Sequence, residues 1–445
     1  MTRYSIRWAL LGSLVASSSA FAADRLVPQD YPTIQAAVNA AANGDVIRVT
    51  GPSIAEHGII IDNRTVTIEG IADAGVTVDA QQLGRHLQIT GSSEVELRNL
   101  RFVNGRAQPA HGGAIFFEGS SLTLEQCVFE SNQAKDGGAV VIRSGRMRVV
   151  ACRFFGNQAI GGPYPFGGAL RHIGGEVVVT RSRFSGNYAG YHGGAISHGW
   201  GYLEGSGAGP LRIISCVLDA NTSSYGGALH TYQGSDNVIC INAIFSNNGA
   251  SIGRAIVNYC GRVRMVNSVV IGSGSQFHTY YGGGVRGLSC ITSSGGLVGY
   301  NNVVADPMLS SDFVPQEGSP CIDAGTPLRL VSEFLATGTG SQCSVFDRDY
   351  LGNPRISDVA GVPNTGCFES NFPIDIGAVE VAGLAVTRLV VGDLDDSGQV
   401  DGKDLAIILS AWGIDDCGSD INADGVIDGI DLSVLIAAWG DCTIR

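Results

Sequence analysis

The sequence predicts an all-β fold, a parallel β-helix solenoid, with a small α-helical module at its C-terminus. Three observations carry this. A Gly-Gly-Ala-(Ile/Leu/Val) motif begins at Gly112, Gly137, Gly167, Gly193 and Gly226, with a degraded sixth copy at Gly253-Arg-Ala255-Ile256. A Phe-x-x-Asn pair precedes most copies: Phe129/Asn132, Phe154/Asn157, Phe184/Asn187 and Phe245/Asn248, with Leu218/Asn221 as a variant. Two acidic loops, Asp393–Asp404 and Asp420–Asp431, close the chain.

The N-terminus reads as a secretory signal over residues 1–22. Arg3 and Arg7 give a positive start, Trp8 to Val15 an apolar stretch, and Ala20-Phe21-Ala22 a cleavage site. The mature chain is therefore expected to be secreted, extracellular or cell-surface associated. No other segment is long and apolar enough to span a bilayer. Thr33 to Asn43 carries Ile34, Ala37, Val38 and Ala41 on one helical face, Gly44 stops it, and a strand follows at Val46–Val49. This short helix fits a cap over the first rung of a solenoid spanning 23–304.

Successive repeats start 25, 30, 26, 33 and 27 residues apart, a period that means stacked rungs. Alternating runs such as Leu122–Leu124, Met147–Val149, Val177–Val179 and Leu211–Ile213 supply strands. One rung cannot bury its own apolar side, whereas stacked rungs can, Phe on Phe and Asn on Asn. Paired glycines suit corners where a side chain would clash. Cys127, Cys152 and Cys216 each stand two residues before the Phe or Leu and read as a buried ladder of small apolar groups rather than as ligands. Eleven cysteines in an exported chain permit disulfides and leave at least one thiol free. Cys343 and Cys367 are candidate partners, and Cys417 and Cys442 could also pair.

Tyr31 to Val46 resembles the opening of pectin-lyase-like β-helix proteins, and that resemblance implies a right-handed solenoid. The glycine and Phe-x-x-Asn repeats resemble those of polymorphic outer-membrane proteins, which are surface adhesins ending in a membrane barrel; no such barrel is read here. Residues 305–381 carry Asp306-Pro307, Gly318-Ser-Pro-Cys-Ile-Asp323-Ala-Gly325, Asp349, Gly352-Asn-Pro-Arg355 and Asp375-Ile-Gly377-Ala-Val-Glu380. These resemble the closing segment of choice-of-anchor β-helix proteins, whose C-terminal tails select the mode of surface attachment. A joint at 382–390 then leads to the terminal module.

That module, 391–445, holds 12 Asp against one Lys and one Arg, a net −10 of the chain's −13. The body is nearly neutral and offers no basic face for nucleic acid. Both loops set oxygen side chains at positions 1, 3, 5, 9 and 12 with glycine at 6, the spacing that wraps calcium. The expected ligands are Asp393, Asp395, Ser397, Asp401 and Asp404 with the Gln399 carbonyl, then Asp420, Asn422, Asp424, Asp428 and Asp431 with the Val426 carbonyl. Each loop precedes an amphipathic stretch, Leu405/Ile408/Leu409/Trp412 and Leu432/Leu435/Ile436/Trp439. The pattern resembles dockerin modules, and the resemblance implies a cohesin-like partner that tethers the protein to a scaffold or surface.

A catalytic set is not evident. Paired aspartates with a following His-Gly, as in polygalacturonases, are absent, and so is the usual pectate-lyase signature. The column two residues after the repeat alanine reads Phe116, Val141, Arg171, Ser197, His230 and Val257. Alternation points it outward. Arg171 and His230 are thus the candidates for chemistry on an acidic polysaccharide, against a plainer reading as solvated face residues. His172 and His198, one position further on, face inward or a corner as core histidines rather than a metal pair. Asp323, Asp349, Arg355, Asp375 and Glu380 read as a hydrogen-bonded structural network. The function that follows is a glycan- or surface-binding β-helix displayed through a calcium-dependent module, with a polysaccharide lyase, hydrolase or epimerase on the same fold as the alternative.

Overall fold

The computed structural model describes residues 23–199, 208–232, 238–325, 348–353, 357–358, 374–381, 384–385, 399–412, 427, 429–437 and 439–441. Strands of successive repeats lie directly on one another and pair in parallel, in sheets of 19, 11 and 6 strands among the described residues. One rung runs through Val140–Val150, Arg153–Phe155 and Gln158–Ala159; the next stacks Leu170–His172, Glu176–Thr180, Arg183–Ser185 and Tyr188–Ala189 upon it. The predicted strands all fall inside observed ones. The signal-like 1–22 and the cysteine pairs Cys343/Cys367 and Cys417/Cys442 lie outside the described residues.

Three inner columns hold the rungs in register. Phe102, Phe129, Phe154 and Phe184 stack with ring centroids 5.3, 4.7 and 4.5 Å apart. Asn132, Asn157, Asn187, Asn221 and Asn248 are all buried. Asn157 Oδ1 accepts from Asn132 N and Nδ2 at 3.1 and 3.0 Å, while its Nδ2 donates to Asn187 Oδ1 at 3.0 Å and to Phe129 O at 2.9 Å. The amides thereby satisfy backbone groups that a corner would otherwise strand without partners.

The cysteine column is buried, as its position in the repeat implies, but it is more than apolar filler. Cys152 Sγ accepts from Cys127 N at 3.4 Å, Ser182 Oγ from Cys152 N at 3.0 Å, and Cys216 Sγ from Ser182 N at 3.5 Å. Thiol and hydroxyl stand in for one another because each is a small acceptor beneath a corner amide. Just before this column Gln126, Ala151, Arg181 and Ser215 take left-handed φ of 53, 52, 48 and 50°, which turns the chain from one sheet to the next. The Gly-Gly corner is tighter: a methyl on Gly138 would strike the Gly168 carbonyl of the adjacent rung.

Helix α1 (Ile34–Ala40) closes the N-terminal end. Thr33 Oγ1 accepts from Ala36 N at 3.0 Å, and Glu56 accepts from Ile34 N and Gln35 N at 2.7 Å each. Ile34, Ala37 and Val38 join the main core. At the other end, among the described residues, Val298–Tyr300 pairs only with Gly284–Leu288, and Val303–Val304 only with Ile291–Thr292.

Among the described residues from 305 onward, none stacks as a further rung. Phe313, Cys321, Ile376, Ala378 and Val379 cover the outward side chains Val217, Ile244, Val269 and Ile291 of the second sheet. Ser215 Oγ donates to Arg348 O, and Gly377 N to Asn267 O, fastening this cover to the rungs. Within the expected joint, Leu384–Ala385 pairs antiparallel with Ser357–Asp358.

The terminal module contains α2 (Gly402–Ser410) and α3 (Gly429–Ala437), one after each acidic loop. Their core is Val400, Ile408, Ala411, Ile427 and Leu435.

Candidate functional site

The outward column forms as alternation requires. Phe116, Val141, Arg171, Ser197, His230, Val257 and His278 occupy one register position on successive rungs. Arg171 and His230 are thus brought to one face, separated by Ser197 alone. The expectation of a solvated face fails, however: Arg171 is 5% exposed, and Ser197 and His230 are 0% exposed. Rings from the two neighbouring columns close over them. Phe166 lies beneath the guanidinium, 4.6 Å from Arg171 Cζ, and His192 packs on His230 with centroids 3.9 Å apart. Tyr232 and Tyr259 flank His230 at 5.7 and 5.4 Å. Arg171 Nη1 donates to Ser197 Oγ at 2.9 Å, so the guanidinium is anchored within the column.

Burial decides the protonation of this face. It pulls His192 down to about 3 and His230 well below its ordinary value, with the Arg171 charge adding to the effect at both and His192 also acting on His230. Both imidazoles are neutral at pH 7 and carry no proton to give as acids. Among the described residues, His192 Nδ1 and both His230 nitrogens have no hydrogen-bond partner.

His172 and His198 point inward, as expected, and both are fully buried. His172 Nε2 meets Gly175 O at 2.9 Å, so it carries the proton there, and its Nδ1 accepts from His198 Nδ1 at 2.9 Å. The bare His198 Nε2 is left as an unpartnered acceptor rather than an unpartnered donor. Burial holds His172 at about 4 and His198 well below its usual value. Thr231 and Asn258 continue this polar column, with Thr231 Oγ1 donating to Asn258 Oδ1 at 2.6 Å. It is a core hydrogen-bonded stack.

An aromatic strip borders the Arg171 column, and the repeat reading missed it. Tyr164 meets Tyr191 at 4.9 Å, Tyr191 meets Tyr225 at 5.0 Å, and Tyr191 meets His192 at 4.3 Å. On the other side Tyr232, Tyr259 and Tyr280 stack at 4.9 and 4.5 Å, with Tyr281 6.0 Å from Tyr259. Tyr164 and Tyr281, at 57% and 79% exposed, bring the strip to the surface. A signal existed: Tyr232 and Tyr259 each stand four residues after a repeat alanine, Ala228 and Ala255.

The carboxylates of the covering segment form the expected network. Asp375 Oδ1 accepts from Asp323 N at 2.8 Å and Oδ2 from Val381 N at 2.7 Å; Asp349 Oδ2 accepts from Glu380 N at 3.0 Å. All four acids are buried. Arg355 lies outside the described residues.

In the terminal module, Asp393, Asp395, Ser397, Asp420, Asn422, Asp424, Val426 and Asp428 lie outside the described residues. Gln399 is in a two-residue strand paired with Gly440–Asp441. Asp401 caps α2, accepting from Lys403 N at 2.7 Å, while Asp404 Oδ2 accepts from Asp401 N at 2.8 Å. Asp404 and Asp431, the last ligand positions of the two loops, are both withdrawn from water, as are Val400 and Ile427 at position 8. The two halves are thus equivalent where both are described, each with a buried aspartate at position 12 and a buried aliphatic residue at position 8. The helices bury less than their patterns suggest: Leu409, Trp412, Ile436 and Trp439 remain about half exposed.

Among the described residues no helix is long and apolar enough to cross a membrane. No curated protein matches the chain. A family model described as "right handed beta helix region" matches residues 36–199, from within α1 to the strand of His198. Over that stretch the chain is a right-handed β-helix.

Proposed function

We propose that this is a secreted or cell-surface β-helix that binds glycans, attached or assembled through its calcium-dependent, dockerin-like C-terminal module. The observation that carries the glycan reading is the tyrosine strip from Tyr164 to Tyr281. Tyrosine offers an apolar ring face and a polar rim. A sugar ring presents C–H bonds on one face and hydroxyls at its edge, so the two match. Rings repeated on rungs about 4.8 Å apart suit a polymer rather than a single sugar. With Arg171 and His230 sealed beneath this strip, binding is favoured over turnover.

Calcium would be held by the two loops, with Asp404 and Asp431 as their last carboxylates. When bound, it supplies the positive charge that lets acidic side chains converge. Asp401 orients the start of α2 through its cap, and Val400 and Ile427 join the loops to the module's core. Leu409 and Ile436 on the two helices, with Trp412 and Trp439 just beyond their ends, stand at matched positions, an apolar surface for a cohesin-like partner.

Affinity electrophoresis of the mature protein in gels of pectin, alginate, xylan and sulfated glycans tests the first part. Retardation in at least one gel, lost in a Tyr164→Ala/Tyr281→Ala variant, is expected. Free migration in every gel would overturn it. Sizing the polymers after incubation separates binding from turnover, since shortened chains would replace this reading with a lyase or hydrolase. For the module, calcium should raise its melting temperature and change Trp412 and Trp439 fluorescence, and Asp404→Asn with Asp431→Asn should abolish both effects.

A further inference from the structure

The two ends of the solenoid are finished differently. At the N-terminal end α1 buries Ile34, Ala37 and Val38 against the first rungs. At the C-terminal end the last strands, Val298–Tyr300 and Val303–Val304, each have a neighbour on one side only among the described residues. Val298 is 69% and Tyr300 82% exposed, and Val304 is likewise open. Strand edges in natural proteins are normally blunted by charge, proline or a cover, because an unpaired edge recruits another strand. Here the strands are short, three and two residues, but Gly287 to Ala305 contains no Asp, Glu, Lys, Arg or Pro, and no cover over them stands among the described residues.

We infer that this end is a self-association surface, where two copies meet end to end and pair their last strands. A partner must answer two edges at once, one from each sheet, at the separation set by the solenoid's own cross-section. An identical end does so by a twofold rotation that brings Val298–Tyr300 against Val303–Val304 of the other copy and the reverse. Charge does not oppose the contact. Most of the chain's acidity, a net −10, sits in 391–445, and this end is neutral. Because α1 covers the opposite end, head-to-tail growth into a filament is blocked and the assembly closes as a dimer.

The backbone offers a selective way to break it. Val303 N donates to Cys290 O and Ala305 N to Thr292 O, so the intervening Val304 N–H lies on the open side. Val304→Pro removes that donor without touching the inner ladder. Val298→Lys/Val304→Lys places two charges on exposed positions instead.

Sedimentation velocity of the mature full-length protein over a concentration series is the test, run with calcium and with chelator. A dimer in both solutions is expected, shifting to monomer in Val304→Pro and in the double lysine variant, each with an unchanged melting temperature. A wild-type monomer throughout overturns the inference. So does a dimer that persists in both variants, or one that dissociates on chelation, which would move the contact to the terminal module. Glycan retardation is expected to survive in the monomeric variants, so the two proposals fail separately.

Discussion

The asparagine column and the Arg171 column run along the same rungs and obey opposite rules. Inside, Asn132, Asn157, Asn187, Asn221 and Asn248 repeat one residue and one bonding pattern. Outside, Phe116, Val141, Arg171, Ser197, His230 and Val257 share a register and almost nothing else. Stacking constrains a position only where it must satisfy the rungs on either side. The outward position is free of that demand, so its chemistry can vary from rung to rung.

Acid should separate the asparagine column most strongly from the molecule's buried histidines. Asparagine does not titrate, whereas His172 is held at about 4 by burial, and so is the buried His86. The folded chain keeps these rings neutral while the unfolded chain protonates them near pH 6.5. Stability is therefore complete above about pH 6.5 and is lost as the pH falls towards 4, by about 3 kcal/mol for each of the two. Denaturant midpoints measured from pH 7 to 4 should fall steeply, and less steeply in His172→Gln.

Asn157→Leu should come next, at about 3–5 kcal/mol, because it orphans the Asn132 amide and the Phe129 carbonyl at a buried corner. Chemical denaturation reads it directly; a loss below about 1 kcal/mol would mean that packing, not the amide ladder, sets the register. Arg171→Met keeps the volume and gives up the Ser197 bond and the Phe166 contact, for an expected loss of about 1–2 kcal/mol. Tyr281→Ala is the smallest, within about 0.5 kcal/mol because the ring is exposed, yet it should weaken glycan retardation.

Much of the solenoid was legible because its repeats mark corners and core together. Glycine pairs, phenylalanines and asparagines each answer the next rung, so their spacing in sequence is their stacking in space. The cap helix was equally readable from Thr33, the Ile34/Ala37/Val38 face and Gly44. Rungs before Gly112 and after Ala255 lack the full motif, since branched residues such as Ile59, Ile61, Val76 and Val78 fill the core there without special corners. The covering segment was recognisable as a unit, but its seat on Val217, Ile244, Val269 and Ile291 was not, since no local pattern names a distant outward face. At the candidate site the outward direction of Arg171 and His230 followed from alternation. Their burial did not, because it depends on Phe166, His192 and Tyr225 at corners of variable length.

The buried thiols have a consequence for handling the protein. Cys127, Cys152, Cys216, Cys240, Cys290 and Cys321 are free and buried. Burial pushes Cys216, Cys290 and Cys321 up to about 12. A thiol so far from its thiolate neither exchanges nor oxidises, so these buried thiols are inert in the folded chain even in an oxidising compartment. Unfolding returns these sulfurs to water at their ordinary reactivity, where non-native crosslinking competes with restacking of the rungs. In air, melting should thus be a one-way event whose apparent midpoint depends on scan rate, whereas under reductant it should reverse.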